Sequence, residues 1–245
     1  NKEISININK NLMKDLIVGD RVYVELEDKA DELNNINATE IFKIGNTDDA
    51  ACDEICVAIS NGFDIDFPKE ALEELKSIPN EVTENDIKNR YDFRKENIFT
   101  IDSITTKDMD DAISIRKIEN GNYVIGVHIA DVAYYIKPQT ELFKEALKRG
   151  TSVYLGYKVI PMLPKELSNG ICSLNEGVDR LTKSTIFEYN PKTNKIVNYK
   201  IVDSVICSRK KMSYEDLNNY YKTGQIEEDY ISLLDDINLI REFAY

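Results

Sequence analysis

The sequence contains little of what membrane-spanning or secreted proteins depend on. Its apolar runs are short and broken by charged residues, which excludes a membrane-spanning helix. The N-terminal segment contains no apolar core of the kind found in a signal peptide. Among 245 residues there are only four cysteines, too few and too scattered for a disulfide framework. We therefore expect a soluble, cytoplasmic protein with no membrane partner.

Histidine is nearly absent, which limits the metal sites that the chain can form. Cys52 and Cys56 have the spacing of half a zinc site. The other half is missing, because Cys172 and Cys207 lie far apart and His128 is the only histidine. A structural zinc site needs four such ligands. We expect four free thiols rather than zinc.

Basic residues are scarce as well. The chain has 31 Lys and Arg against 44 Asp and Glu, a formal net charge of −13. Residues 1–95 hold 12 of the basic and 22 of the acidic residues, and residues 96–245 hold 19 and 22. Neither part shows the basic footprint of a nucleic-acid-binding protein. Charge therefore gives no support for nucleic-acid binding, and a case for it has to come from motifs.

Residues 1–67 are predicted to form a β-rich domain. The segment GDRVYVEL (19–26) alternates apolar and polar residues, which places Val22, Val24 and Leu26 on one face of a half-buried strand. Short strands between polar turns are typical of a small barrel, and a complete five-stranded barrel would need more chain in front. Further strands are predicted at TEIFKIG (39–45) and EICVAI (54–59), after a polar, acidic stretch at 27–38.

Residues 68–98 are predicted to link this domain to the next one. The segment PKEALEELKS (68–77) begins with proline, which suits a first helical turn, and continues with apolar residues at helical spacing. The segment TENDIKNR (83–90) is predicted to be a second short helix, with Thr83 and Asp86 spaced as a capping pair.

From residue 99 the pattern changes to strands and helices of a mixed α/β domain. Asn120-Gly121-Asn122 predicts a hairpin within 111–136. Thr140 and Gly150 are placed to begin and end a helix. The proline-rich segment 159–174 is expected to be loop or short helix, and the last helix has no terminating signal, so we expect the chain to end inside this domain. The other predicted elements are strands at 99–102, 183–190 and 195–208 and helices at 140–150, 213–224 and 229–245.

Four aspartates lie within ten positions of IDSITTKDMDDAI (101–113), between the end of one predicted strand and the start of the next. Carboxylate oxygens are the ligands that Mg²⁺ and Mn²⁺ prefer, and a divalent cation would relieve the repulsion among them. Phosphodiester cleavage uses such ions to activate water and to stabilise the leaving oxygen. Spacing alone also allows a solvated surface turn, whereas an EF-hand loop does not fit, because Ile113 stands where that loop needs glycine. The four residues are Asp102, Asp108, Asp110 and Asp111.

Several longer motifs together resemble the catalytic RNB domain of ribonucleases II and R. They are TID-x₅-D-x-DDAI, VHIADVAYYI, RGTSVYL and VIPMLPKELSNGICSLNEGVDRL, in the family's order and spacing over residues 99–181. RYDFR (90–94), just before them, resembles the family's Arg-x-Asp-Leu-Arg. The resemblance implies a mixed α/β chain with three parts: a partial cold-shock (OB-type) β-barrel in 1–67, a linker in 68–98, and the N-terminal part of an RNB catalytic domain in 99–245.

The resemblance implies a monomeric, Mg²⁺-dependent 3′→5′ exoribonuclease, with Mn²⁺ as a possible substitute. Such enzymes degrade single-stranded RNA processively to nucleoside 5′-monophosphates. The four aspartates align with the family's catalytic and metal-binding positions: Asp102 and Asp111 chiefly bind Mg²⁺, Asp110 is critical for cleavage, and Asp108 completes the set. The family's downstream arginine would lie beyond Tyr245, so we expect the 245-residue chain alone to have little or no activity.

Two tyrosines are implied to contact RNA. Tyr154 aligns with the tyrosine that packs on a base near the RNA 3′ end, although a strand tyrosine can equally be a core aromatic. Tyr214 matches a tyrosine on the nucleotide path, where contact with the sugar helps to choose RNA over DNA. The segment 161–168 is expected to shape the wall of the RNA channel.

Three further polar residues have alternative interpretations. His128 is a candidate acid or base, but its apolar neighbours favour a structural histidine that supports the aspartate cluster. Asp131 is expected to stand behind the metal ligands or to cap a turn, and Arg180 either contacts phosphate or forms a structural ion pair.

The alternative function is that of a non-catalytic RNA-binding relative with the same fold. Such a protein is expected to have lost one or more of the four aspartates, and this sequence keeps all of them. Ser103 and Thr106 depart from the family's usual residues, but neither change removes a ligand.

Overall fold

The computed structural model describes residues 5–29 and 35–244. Parts of three predicted segments therefore lie outside the described residues: the N-terminus, the acidic stretch at 27–38 and the end of the last helix. The chain forms two compact units, one of Asn1–Phe67 with Arg149–Met162 and one of Pro68–Lys148 with Leu163–Tyr245. The sequence pattern did not predict that 149–162 groups with the first unit.

The described residues contain both strands and helices, which confirms the predicted mixed α/β class. The strands are β1 (Ser5–Asn7), β2 (Asp20–Leu26), β3 (Asn35–Asn46), β4 (Tyr91–Asp92), β5 (Phe99–Asp102), β6 (Asp111–Lys117), β7 (Tyr123–Ala130), β8 (Val153–Tyr154), β9 (Val159–Ile160), β10 (Asp179–Asn190), β11 (Lys195–Cys207) and β12 (Lys210–Ser213). The α-helices are α1 (Ala50–Ser60), α2 (Lys69–Leu75), α3 (Glu84–Ile87), α4 (Val132–Tyr135), α5 (Glu141–Arg149), α6 (Tyr214–Thr223) and α7 (Leu234–Ala244).

The first unit contains a three-stranded sheet in the order β1-β3-β2 and the small hairpin β8-β9. As predicted, Val22 and Val24 are half-buried on one face of β2, whereas Leu26 at its end is 39% exposed. Among the described residues these strands do not close into a barrel, so the OB-type barrel stays a prediction. None of the four cysteines forms a disulfide.

The prediction of a strand at 54–59 is wrong, because these residues lie in the middle of α1. The side chain of Asp49 accepts a hydrogen bond from the Ala51 amide at 2.9 Å and begins the helix. Cys52 and Ala58 are buried on the inner side of α1. A Cβ added to Gly45 would stand 3.1 Å from the Cys52 sulfur, so the glycine lets helix and strand approach closely.

The second unit is built on a seven-stranded mixed sheet in the order β12-β5-β6-β7-β10-β11-β4. The predicted hairpin is confirmed: β6 and β7 pair in antiparallel register, and Gly121 takes a φ of 83° in the turn between them. The predicted strands at 183–190 and 195–208 are confirmed as β10 and β11, which form the longest pair in the sheet.

Apolar side chains pack on the sheet and hold the site-bearing strands in place. One cluster joins Phe99 of β5 and Met212 of β12 to Leu217 of α6 and Ile237 of α7. Each such side chain contributes roughly 1.5–3 kcal/mol when it is fully buried. A second cluster contains Met109, from the loop between β5 and β6, together with Ile98, Ala112, Ala130, Leu174 and Ile206.

Most of the predicted helices are confirmed, with their caps. Thr83 and Asp86 form a capping box at α3, and the Thr140 hydroxyl accepts a hydrogen bond from the Phe143 amide at 3.2 Å at the start of α5. Gly224 follows α6 in the left-handed conformation with a φ of 77°. The predicted helix at 229–245 instead begins as a 3₁₀ turn, Glu228–Leu233, before α7. None of the described helices is long and apolar enough to span a bilayer.

Candidate active site

The four aspartates of the predicted cluster lie at one end of the seven-stranded sheet. Asp102 is the last residue of β5, and Asp111 is the first residue of the antiparallel neighbour β6. The loop 103–110 between the two strands carries Asp108 and Asp110. Asp102 and Asp108 are half-buried, whereas Asp110 and Asp111 are exposed. One loop and its two flanking strands therefore supply all four carboxylates.

The second half of this loop is tied to the segment that follows residue 170. The Ser173 hydroxyl donates to the Lys107 carbonyl and accepts from the Met109 amide, each at 3.0 Å. The Leu174 amide donates to the Met109 carbonyl at 2.9 Å. Met109 itself is 3% exposed, and its side chain anchors the loop in the core. The backbone between Asp108 and Asp110 is thereby fixed at its centre.

Two further contacts fix the loop at other points. The Asp110 carbonyl accepts a hydrogen bond from the Ala130 amide at 2.9 Å, which joins the loop to the end of β7. The ammonium group of Lys211, on β12, donates to the Ile104 carbonyl at 3.2 Å and to the Thr106 carbonyl. Lys211 pairs in register with Thr100 of β5, two residues before Asp102.

The electrostatics of the loop show that the four carboxylates act on one another. Burial raises the pKa of Asp102, and the charges of Asp111 and Asp108 raise it further, while Thr100 and Lys211 oppose the rise. Partial desolvation is also the largest cause of the raised pKa of Asp110, followed by the charges of Asp108, Asp111 and Asp102. The loop therefore concentrates negative charge at one place on the sheet.

This donor set fits a hard divalent cation. Carboxylate oxygens are the preferred ligands of Mg²⁺ and Mn²⁺. Burial is the main cause of the raised pKa values of Asp102 and Asp110, and the charges of the neighbouring aspartates add a repulsion that a cation would relieve. Among residues 5–29 and 35–244, no three or more His, Cys, Asp or Glu side chains converge into a coordinating group. The chemistry of the donors, rather than a preformed coordination sphere, thus supports the site.

The structure places one of the two predicted RNA-contacting tyrosines beside the aspartates. Tyr214 is 57% exposed and directly follows Ser213, which pairs in register with Asp102. Tyr154 belongs to the first unit, where it lies on β8 with 69% of its side chain exposed. The alternative of a core aromatic is therefore wrong for Tyr154.

His128 is a structural residue, as predicted, but it does not support the aspartate cluster. It pairs with Ala112, whereas its neighbour Ile129 pairs with Asp111, so the His128 side chain points to the opposite face of the sheet from Asp111. The imidazole is 1% exposed, and its Nδ1 lies 2.6 Å from the Ser184 hydroxyl. Burial lowers the pKa of His128 to about 4.

Asp131 and Arg180 also have structural roles. The Asp131 carboxylate does not cap α4 and instead forms a buried ion pair with Arg90 at 2.7 Å. Arg180 is 8% exposed and donates to the carbonyls of Ser173 at 2.8 Å, Asp179 at 2.9 Å and Gly170 at 3.2 Å. Its guanidinium group is thus used within the segment that holds the aspartate loop. Among the described residues Arg180 forms no ion pair, so the expected ion pair is wrong, whereas the phosphate contact stays a prediction.

Sequence reasoning missed the residues that hold the loop, namely Ser173 and Lys211. Both act on backbone carbonyl or amide groups, which leave no pattern in a sequence. The one available signal was the run Arg209-Lys210-Lys211, three cations just ahead of Tyr214 in an acidic chain.

Comparison with known proteins places this site in a family. The RNB domain matches residues 90–244. Ribonuclease R 1 of Lactococcus lactis subsp. lactis (strain IL1403) is 43% identical over 208 residues, which cover 84% of this chain and 25% of the relative. The chain thus spans about a quarter of the length of that relative.

Solved structures show the same fold. Mycoplasma genitalium RNase R in complex with ribose methylated single-stranded RNA matches with a TM-score of 0.76 and 25% identity, over 95% of this chain and 37% of that one. Yeast Ssd1, a pseudonuclease, matches with a TM-score of 0.68 and 19% identity, over 98% of this chain and 30% of that one. The second likeness is one of fold alone. Because the family match covers more than half of its residues, the chain belongs to the RNB domain family.

Proposed function

We propose that the protein is a 3′→5′ exoribonuclease that hydrolyses single-stranded RNA processively to nucleoside 5′-monophosphates. The observation that carries this proposal is the intact set of four aspartates, gathered on one loop of an RNB domain. We assign residues 1–67 to a partial OB-type domain, 68–98 to a linker and 99–245 to the N-terminal part of the catalytic domain. The protein would act as a cytoplasmic monomer in RNA turnover or quality control.

The aspartate loop would hold the metal. We assign Mg²⁺ binding chiefly to Asp102 and Asp111, with Asp108 and Asp110 completing the site, and Mn²⁺ as a possible substitute. When bound, the cation would activate a water molecule and stabilise the leaving 3′-oxygen of the penultimate nucleotide. The concentrated negative charge of the loop supports this assignment.

Asp110 has the properties needed for the cleavage step. Its side chain is exposed, which leaves the carboxylate accessible to an attacking water molecule. In the proposed step the water oxygen attacks phosphorus, the Asp110 carboxylate takes up the proton, and the bond from phosphorus to the 3′-oxygen breaks. No covalent intermediate with the protein is needed.

The two exposed tyrosines would bind the RNA. A flat aromatic ring stacks on any base, so stacking on Tyr154 would give binding with little sequence preference. Tyr214, next to the register partner of Asp102, would contact the sugar close to the metal ligands. RNA binding by the related Mycoplasma genitalium enzyme supports the proposal.

The test uses the full-length protein, its Asp110→Asn variant and 5′-labelled single-stranded RNA with Mg²⁺. The wild type should shorten the RNA stepwise from the 3′ end, and the variant should be slower by about 100-fold or more. Asp203→Asn is a matched control, since Asp203 is an exposed aspartate of β11 paired with Lys183 and should behave as wild type. Equal activity of the wild type and Asp110→Asn would contradict the mechanism.

A non-catalytic RNA-binding role is the second candidate, because the fold of this chain also occurs in the pseudonuclease Ssd1. It predicts that the full-length protein retains labelled RNA in a mobility-shift assay but leaves its length unchanged with Mg²⁺ and with Mn²⁺. The retention of all four aspartates argues for the catalytic function instead.

A further inference from the structure

The aspartate loop is held in two halves by different parts of the second unit. Residues 107–110 are fixed by Ser173, Leu174 and Ala130 through the hydrogen bonds described above. Residues 103–106 form a turn in which the Thr106 amide donates to the Ser103 carbonyl at 3.0 Å. Ile104, at the tip of this turn, is 66% exposed and contributes little packing. The first half of the loop therefore depends on polar contacts.

Lys211 supplies two of these contacts. Its half-buried ammonium donates to the carbonyls of Ile104 and Thr106, so that one side chain bridges the turn. A charged donor makes a stronger hydrogen bond than a neutral one. The same ammonium lies close enough to Asp102 for its charge to act on that carboxylate. Lys211 thus forms hydrogen bonds to the turn, and its charge acts on Asp102, the residue just before the turn.

The backbone of Lys211 is itself held in position. Its amide donates to the Glu176 carboxylate at 3.1 Å, and the same carboxylate accepts from the ammonium of Lys210 at 3.3 Å. In β12, Lys211, Met212 and Ser213 pair in parallel register with Thr100, Ile101 and Asp102 of β5. Lys211 therefore reaches the loop from a strand that is fixed against the strand carrying Asp102.

We propose that Lys211 is a positioning residue that limits the spacing between Asp102 and the Asp108–Asp111 segment, so that less of the loop has to be ordered when a divalent cation binds. This inference rests on the proposed function, since it concerns the same metal-binding aspartates. Groups that orient metal ligands without touching the metal typically contribute a factor of about 10 to 100 in metal affinity or activity. We expect a loss of that size when Lys211 can no longer donate.

The test compares three variants of the full-length protein. Lys211→Met removes the donors but keeps most of the side-chain length, and Lys211→Arg keeps a charged donor. Arg209→Met is the matched control, because Arg209 also bridges two backbone carbonyls, those of Arg94 at 3.1 Å and Glu96 at 3.3 Å, in a loop without the aspartates.

Two readouts separate positioning from general stability. Mn²⁺ binding without RNA, measured by electron paramagnetic resonance, should weaken about 10- to 100-fold in Lys211→Met and recover at least partly in Lys211→Arg. Hydrolysis of single-stranded RNA at saturating substrate should show a lower kcat at limiting Mg²⁺, with recovery at high Mg²⁺ and little change in KM for RNA. Arg209→Met should bind Mn²⁺ as the wild type does.

Three results would overturn the inference. The first is unchanged Mn²⁺ affinity in Lys211→Met, and the second is an equal loss of Mn²⁺ affinity in Arg209→Met. The third applies if Lys211→Met does not fold: a folded Lys211→Arg variant whose loop is protected from hydrogen exchange as in the wild type but which binds no Mn²⁺. Wild-type protein that binds Mn²⁺ but leaves RNA intact contradicts the proposed function alone, and the binding series still decides the role of Lys211. Wild-type protein that binds no Mn²⁺ overturns both.

Discussion

His128, the single histidine of the chain, is buried in the seven-stranded sheet. His128 has a pKa of about 4, because burial disfavours the charged imidazole. The folded-state pKa lies below the unfolded value of about 6.5, so the unfolded chain takes up the proton first. The stability that neutral His128 contributes is complete above about pH 6.5 and is lost as the pH falls towards 4, by about 3 kcal/mol in all.

Nuclear magnetic resonance of the imidazole measures this prediction directly. The signal that disappears in His128→Gln belongs to His128, and it should show a neutral ring at pH 5.5. An imidazole that titrates above pH 6 would mean that the ring is hydrated or paired with an acid, against the buried position beside Ser114 and Ser184.

Arg180 is a second residue whose role the structure changes. Since its guanidinium group donates to three backbone carbonyls, Arg180→Met should lower the free energy of unfolding by roughly 2–4 kcal/mol, as hydrogen bonds from charged groups contribute about 1.5–3 kcal/mol each with partial compensation. Urea unfolding measures the loss. The salt dependence of RNA binding should keep its slope, because no phosphate contact is removed. A shallower salt dependence of RNA binding with unchanged stability would instead indicate that Arg180 contacts an RNA phosphate.

At the scale of elements, the buried ion pair of Arg90 and Asp131 joins the segment before β4 to the end of β7. The side chains are 8% and 4% exposed, and Arg90 also donates to the carbonyls of Thr182 and Ser204 at 3.3 Å each. Replacing one partner leaves the other as an unpaired buried charge, which lowers the free energy of unfolding by about 3–5 kcal/mol.

A double-mutant cycle measures this pair. Asp131→Leu and Arg90→Met should each be strongly destabilising in chemical unfolding, and the double variant should be clearly less destabilised than the sum of the two. Simple additivity would show that the two side chains contribute independently, in spite of their 2.7 Å contact.

The elements that the sequence predicted well are those with local signals. The turn at Gly121 and the caps at Thr83 and Thr140 are read from neighbouring residues, and the structure confirms them. Helix α1 shows the opposite case. Its run EICVAI has the composition of a strand, and a short apolar run does not distinguish a strand from a buried helix. The capping residue Asp49, just ahead of it, was the signal that favoured the helix.

The candidate site was predictable only in part. The four aspartates are adjacent in sequence and form one chemical pattern, so they could be named from the sequence. The groups that shape their loop come from residues more than 60 positions away and act on backbone carbonyls, as Ser173 and Lys211 do. The contacts of Lys211 depend on the register of β12 against β5, which side-chain chemistry alone does not specify.

For the whole chain, the net charge of −13 has to be reconciled with the proposed RNA substrate. The acidic excess is concentrated in residues 1–95, and the RNB domain at 90–244 is nearly balanced. A divalent cation at the aspartate loop would offset part of the negative charge of the four carboxylates, where we propose that the scissile phosphate binds. We therefore expect removal of the divalent cation to lower the rate of RNA hydrolysis more than replacement of lysines or arginines of this chain does.

A time course of 5′-labelled single-stranded RNA with the full-length protein, run in parallel with Mg²⁺ and with excess EDTA, tests the metal-dependent exoribonuclease assignment directly. With Mg²⁺ we expect the 5′-labelled RNA to be converted from its 3′ end to short 5′-labelled end products with few intermediates and with release of nucleoside 5′-monophosphates, and we expect no shortening in EDTA. Equal degradation in EDTA, or internal cleavage to oligonucleotides, would contradict the assignment of the four aspartates to a metal-dependent exoribonuclease site.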